Sequence, residues 1–152
     1  VYSFGLACPG VIPFLASRAR VSDVQEIKAV VGMTPLEALT ISLKGSAITW
    51  TGYLDGVPCC LFGVGPAEGD PSVGVCWMIG TDDVERYPLA FLKASRRAFA
   101  MMLSRFPVLV NCVDARHEKA IRWLRWLGAE IHPAEPYGVA GLPFHFFRVR
   151  RG

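Results

Sequence analysis

Residues 109–131 constrain the fold of this chain more than any other stretch. Leu109-Val110-Asn111-Cys112-Val113 is a short, β-branched apolar run, the composition of a strand. Asp114-Ala115-Arg116-His117 is polar, and Glu118 to Leu127 then repeats with the period of a helix. Ala120, Ile121, Leu124 and Leu127 form its buried stripe, with Trp123 at the edge and Glu118, Lys119, Arg122 and Arg125 opposite. Gly128 stops the helix, and Glu130-Ile131 starts a new strand. Strand, loop, helix, stop and strand in so few residues demand a sheet with a helix laid on its face, which excludes an all-helical or all-strand chain.

The remaining length sets one domain, 1–152, with residues 1–10 read as an N-terminal extension. Apolar residues make up 52% and charged residues 19%, so the chain can build a core and is not a disordered segment. A net charge of +3 is too small to argue for specific nucleic-acid binding. The apolar stretch Val1–Ala16 is interrupted by Pro9 and Pro13, has no basic leader and is too short to cross a membrane. Cys8, Cys59, Cys60, Cys76 and Cys112 lie mostly in apolar strand-like runs without a Cys-x-x-Cys, which reads as reduced, buried thiols. His117, His132 and His145 are scattered, and no metal site is expected.

Local signals place the other elements. Val11–Ala16 is predicted as a first strand. Ser22 and Gln25 suggest a capping box for a helix that Gly32 ends. Thr34, Pro35 and Glu37 give a clearer helix start, with Leu36, Leu39 and Leu43 as its stripe up to about Gly45. Ala47–Leu54 and Val57–Val64 flank Asp55-Gly56, a two-residue hairpin turn. Gly65–Pro71 reads as a loop and Val73–Ile79 as a central strand. A long amphipathic helix spans about Pro88–Phe106, and strands follow at 108–113, 130–133 and 142–149. The fold class is therefore α/β (α+β), one mixed twisted sheet flanked by helices.

That order, with His117-Glu118-Lys119-Ala120-Ile121-Arg122-Trp123-Leu124-Arg125-Trp126-Leu127-Gly128-Ala129, resembles the GCN5-related N-acetyltransferase (GNAT) superfamily over nearly the whole chain. The superfamily commonly reads Asn-x-x-Ala-Ile-x-x-Tyr-x-x-x-Gly-Phe there. A narrower resemblance rests on Trp77–Asp82, Phe91–Arg97, Val113–Arg116 with Ile121–Gly128, and Gly141–Phe147. These blocks are similar to small tailed-phage proteins described as internal virion protein A or as phage acetyltransferases. Asn is more usual there at the position of His117 and Phe at that of Ala129.

The resemblance implies a single GNAT-like domain and an acetyl-CoA or other acyl-CoA ligand. Pantetheine would pair with the backbone of Cys76, Trp77, Met78, Ile79 and Gly80, where that strand parts from 108–113. Thr81 and Arg86 would face the diphosphate. That phosphate loop normally has the pattern Arg/Gln-x-x-Gly-x-Gly/Ala, whose backbone N–H groups meet the anion. Here Gly80-Thr81-Asp82-Asp83-Val84-Glu85-Arg86-Tyr87-Pro88 lacks those glycines and puts Asp82, Asp83 and Glu85 where phosphates would sit. Like charges at such range cost on the order of 1 kcal/mol each, and acidic residues there suit a helix start.

The tyrosine that often serves the superfamily as an acid falls at Leu124, which carries no proton to donate. Substitutes by chemistry are His117, Asp114, Cys112, Glu68 and Asp70, with His117 favoured by its ordinary pKa near neutrality. Trp126 falls among the polar residues of its helix, between the directions of Lys119 and Arg122. It can be buried under the C-terminal strands, stack under its basic neighbours, or join Arg122 and Lys119 in a partner interface. Two function classes stay open: an acyl-CoA-dependent N-acyltransferase with degenerate motifs, or a non-catalytic phage protein acting on virion or host proteins. Either would work in the cytoplasm of a bacterial host or in association with a virion, with its oligomeric state open.

Overall fold

The computed structural model describes all residues from Val1 to Gly152. Strand β1 (Tyr2–Leu6) leads through a 3₁₀ turn (Pro9–Val11) to helices α1 (Ile12–Ser17), α2 (Val21–Val31) and α3 (Pro35–Gly45). Strands β2 (Ile48–Leu54), β3 (Val57–Ala67) and β4 (Asp70–Gly80) form an antiparallel meander. A 3₁₀ turn (Asp82–Glu85) precedes α4 (Pro88–Arg105), β5 (Val108–Asp114) and α5 (Glu118–Trp126). Strands β6 (Glu130–Ile131), β7 (Glu135–Tyr137) and β8 (Leu142–Arg150) complete the chain. The eight strands make one sheet in the order β1-β2-β3-β4-β5-β8-β6, with β7 also on β8.

Two apolar layers sandwich that sheet. Ile12 and Leu15 of α1 and Ala38 and Leu39 of α3 cover one face over Leu61 and Ile79. Ala98, Phe99 and Met102 of α4 and Ile121 and Leu124 of α5 cover the other, over Phe62, Val64, Leu109, Val113, Phe147 and Val149. No helix is long and apolar enough to cross a membrane.

The first residues depart from the sequence reading. Tyr2–Leu6, inside the presumed extension, is a strand paired with β2 from Tyr2↔Leu54 to Leu6↔Trp50. Val11–Ala16 is helical instead of extended. Pro13 sits in the first turn of α1, where its fixed φ suits a helix. Ile12 and Leu15 are buried at a spacing of three, so the covering layer selected a helix where a short apolar run left the choice open.

Ser22 does not cap α2. The cap position is Arg20, which lacks a side-chain capping bond, and its N–H donates to the Gly80 carbonyl at 2.8 Å. Gly32 ends α2 in the left-handed conformation as expected. Gly65–Pro71 is also more ordered than predicted, because β3 and β4 run on to a tight turn at Glu68-Gly69. A register shift at Pro66/Ala67 accommodates the prolines there.

The capping box of α3 forms fully: Glu37 N–H donates to Thr34 Oγ1, and Thr34 N–H donates to Glu37 Oε1 at 3.2 Å. Thr34→Ala is expected to cost about 1 kcal/mol of unfolding free energy. Urea titration reads this as a lower midpoint with an unchanged slope.

Candidate active site in the opening between β4 and β5

The parallel pairing of β4 with β5 covers only Val73↔Val108, Gly74↔Leu109 and Val75↔Val110. Beyond Val75 the strands part, because β5 continues along β8 to Asp114↔Phe144 while β4 follows β3 to Gly80↔Cys60. A cavity of about 770 Å³ occupies the parting and reaches both faces of the sheet. Asp23, Glu26 and Ser42 line it on the α2–α3 side, and Phe91, Ser95 and Trp123 on the α4–α5 side.

The strand backbone at this opening is only partly free. The Asn111 amide donates to the Cys76 carbonyl. Gly80 is engaged at both ends, its carbonyl by Arg20 N–H and its N–H by Asp23 Oδ2 at 2.8 Å. Met78 lies between them and, by the two-residue repeat of a strand, turns its N–H and C=O the same way. Neither α2 nor β5, whose pairing has ended, reaches these two groups. Of the five residues expected to offer backbone, Trp77 and Ile79 turn their N–H and C=O to β3, opposite Gly63 and Leu61, and the Trp77 indole donates to Ser46 Oγ at 2.7 Å. Met78 is therefore the residue whose main chain is left open.

Most N–H groups of the presumed phosphate loop are already bonded. Thr81 N–H donates to Cys59 O, and Thr81 Oγ1 accepts from Asp83 N–H. Val84 N–H bonds Thr81 O, Arg86 N–H bonds Asp83 O, and Tyr87 N–H reaches the Tyr2 hydroxyl. Pro88 has no N–H to offer. Arg86 pairs with Asp83 at 3.6 Å, and Arg20 lies 3.8 Å from Glu85. With most of its N–H groups already bonded, this segment offers a diphosphate fewer donors than a glycine-rich loop does.

His117 stands at the cavity wall just before α5. Its Nδ1 lies 3.0 Å from Glu26 Oε2, while its Nε2 is buried without a partner. Glu26 Oε2 also accepts from Asp114 N–H at 3.3 Å, which ties α2 to the end of β5. The Glu26 hydrogen bond raises the His117 pKa above 6.5 against the opposing effect of burial, with Asp114 and Asp23 adding to the rise. Burial pushes the Asp23 carboxyl above its usual range, against the pull of Arg20 and the Gly80 N–H.

The other candidate acids fall elsewhere. Asp114 is fully buried. Burial alone would raise its pKa, but the Arg116 guanidinium and N–H hold it below the usual range. Burial and the nearby Glu26 push the Cys112 thiol up to about 12, and burial does the same to Cys76. Glu68 and Asp70 lie at the β3–β4 turn, where Asp70 accepts from Ser72, and neither lines the cavity. Leu124, at the tyrosine position, is core. No group of His, Cys, Asp and Glu is arranged to hold a metal.

Trp126 is 44% exposed, so it is not buried under the C-terminal strands. Its cation is not a neighbour on α5 either: the Arg96 guanidinium of α4 stacks 3.7 Å from the ring centroid. Lys119 and Arg122 are exposed and line the cavity. Glu26 and Asn111 were missed by sequence reasoning. The one local signal for Glu26 was Asp23 three residues earlier, which puts two carboxylates on one side of α2.

No protein-family model and no curated protein match the sequence. Solved structures do match. A ribosomal-protein-alanine N-acetyltransferase from Brucella melitensis superposes with a TM-score of 0.72 at 15% identity, over 98% of this chain and 99% of that one. An N-acetyltransferase from Staphylococcus aureus Mu50 gives 0.73 at 11% identity, over 99% and 98%. An acetyltransferase from Salmonella typhimurium, solved with its cofactor acetyl-CoA, gives 0.67 at 12% identity, over 99% and 94%. At these identities the likeness establishes the fold, which is the GNAT acyl-CoA N-acyltransferase fold.

Proposed function

We propose that the protein is an acyl-CoA-dependent N-acyltransferase in which His117, oriented by Glu26, moves the proton. The observation that carries this reading is the cavity through the sheet, which the unbonded Met78 backbone meets and whose lining includes the His117–Glu26 pair. Acyl-CoA, when bound, supplies the acyl group as an activated thioester. Met78 would hold the pantetheine amide by strand-like pairing. His117 Nε2 would take a proton as the amine nitrogen bonds the acyl carbon, and return it to the sulfur as the carbon–sulfur bond breaks. Glu26 would accept the Nδ1–H and leave Nε2 to carry the proton.

Isothermal calorimetry with acetyl-CoA is expected to show binding. No heat and no thermal shift at millimolar ligand would sink the proposal.

A second reading, a non-catalytic phage protein acting in virion assembly or host interaction, rests on the sequence blocks alone for its phage origin. The half-exposed Trp126, with Arg122 and Lys119 on the same helix, favours it as an interface. Absence of acetyl-CoA binding, together with capture of a virion or host protein that Trp126→Ala abolishes without unfolding the chain, would establish it.

A further inference from the structure

Helices α4 and α5 together hold seven Lys and Arg residues and a single carboxylate, Glu118, whereas the whole chain nets only +3. The positive charge of the molecule is therefore concentrated on this one side. Lys93, Arg96, Lys119, Arg122 and Arg125 are all exposed, and none is paired with a carboxylate. Unpaired cations gathered on two adjacent helices repel one another, an arrangement that an anionic ligand relieves.

The cluster has an order. Lys119, Arg122 and Trp126 fall on one stripe of α5 at spacings of three and four. The stripe starts at the cavity, which Lys119 and Arg122 line, and runs about 10 Å along the helix to Trp126. There Arg96 crosses from α4, with its guanidinium carbon 3.7 Å from the centroid of the indole ring. Just before α4, Asp82, Asp83 and Glu85 crowd a segment most of whose N–H groups are already bonded.

We propose that the phosphates of acyl-CoA are gripped by the α4–α5 stripe of Lys119, Arg122 and Arg96, and not by the segment between β4 and α4. This rests on the acyl-CoA reading above and adds where the charged end of that ligand lies. Guanidinium groups suit phosphate oxygens because their planar donors bond two at a time. The diphosphate would sit at the cavity mouth by Lys119 and Arg122, and the ribose phosphate farther along, by Arg96.

Calorimetry with two probes, acetyl-CoA and S-acetylpantetheine, tests the assignment on the full chain. The Lys119→Gln/Arg122→Gln variant is expected to bind acetyl-CoA about tenfold or more weakly and S-acetylpantetheine as the parent does. Arg96→Gln is expected to act in the same direction, and the salt dependence of acetyl-CoA binding should flatten in both variants. Asp82→Asn should leave acetyl-CoA affinity within about twofold, whereas phosphates seated beside that carboxylate would bind several-fold tighter once it is neutral. Unchanged acetyl-CoA affinity in the Lys119→Gln/Arg122→Gln variant, equal loss of both probes, or tightening by Asp82→Asn would overturn the proposal while leaving the acyltransferase reading intact. Failure of the parent chain to bind acetyl-CoA at all would remove both.

Discussion

His117→Ala is expected to lower acyl-transfer turnover by about a hundredfold with little change in the affinity for acetyl-CoA. Proton transfer by a positioned side chain typically contributes that much or more. The role falls to one atom, because Glu26 takes Nδ1 and leaves Nε2 unbonded in a residue that lines the cavity. The other candidates from the sequence are poorly placed to replace it: Cys112 and Cys76 hold their protons to about 12, and Asp114 is committed to Arg116. Turnover within about twofold of the parent would remove His117 from the chemistry.

Glu26→Gln separates orientation from charge. The glutamine can still bond Nδ1, but the carboxylate that raises the His117 pKa is gone. The limb of the pH–rate profile set by His117 should therefore move to lower pH. The stability signature has a definite sign. A histidine whose folded pKa is raised adds stability that is full below the unfolded value near 6.5 and is lost as pH rises through the folded value. The variant should lose most stability in mildly acidic buffer and least at alkaline pH. A pH-independent difference would mean that Glu26 acts by packing alone.

Gly138→Ala is expected to destabilise the fold by about 3 kcal/mol, from backbone strain and overpacking together. Gly138 has φ +75°, and a Cβ there would lie 2.6 Å from Val30 Cα and 2.7 Å from the Ala29 carbonyl oxygen. Those atoms belong to the last turn of α2 and cannot swing aside. The segment that Gly138 opens donates Val139 N–H to Val30 O and Ala140 N–H to Ala29 O, so it satisfies carbonyls that the helix leaves over. Displacing it disturbs the helix that carries Asp23 and Glu26. Gly141→Ala is the control, since its φ is +66° but no atom lies within 4 Å of the added carbon. It should cost about 1–2 kcal/mol. Thermal denaturation would show Gly138→Ala lower by roughly 10 °C and Gly141→Ala by much less. Equal shifts would mean that the strap is not pressed against α2.

Much of this fold was legible because its signals are local. Thr34 and Glu37 close their capping box within three residues, and Asp55-Gly56 turns the chain with φ values of 49° and 81°. The α5 stripe buries Ile121 and Leu124 as its period requires. Local signals misled where neighbours decide. Val11–Ala16 is apolar enough for either state, and only packing on Leu39 and Leu61 makes it helical. Tyr2–Leu6 carries no turn or period of its own, and its strand exists because β2 presents an edge to it.

The candidate site divides the same way. Sequence alone determined the scaffold, the acidic segment 82–85 without a glycine pattern, the leucine at 124 and the interest of His117, because each is a matter of residue type at a spacing. Tertiary structure decided what His117 can do, by bringing Glu26 to it across 91 positions of chain. It also decided that Met78, not the whole of 76–80, offers free backbone, and that Trp126 meets Arg96 of another helix. The physical reason is common to all three. Hydrogen bonds and stacking act over a few ångströms in space, and a chain's own periodicity reports the face a residue takes but not what the fold places opposite it.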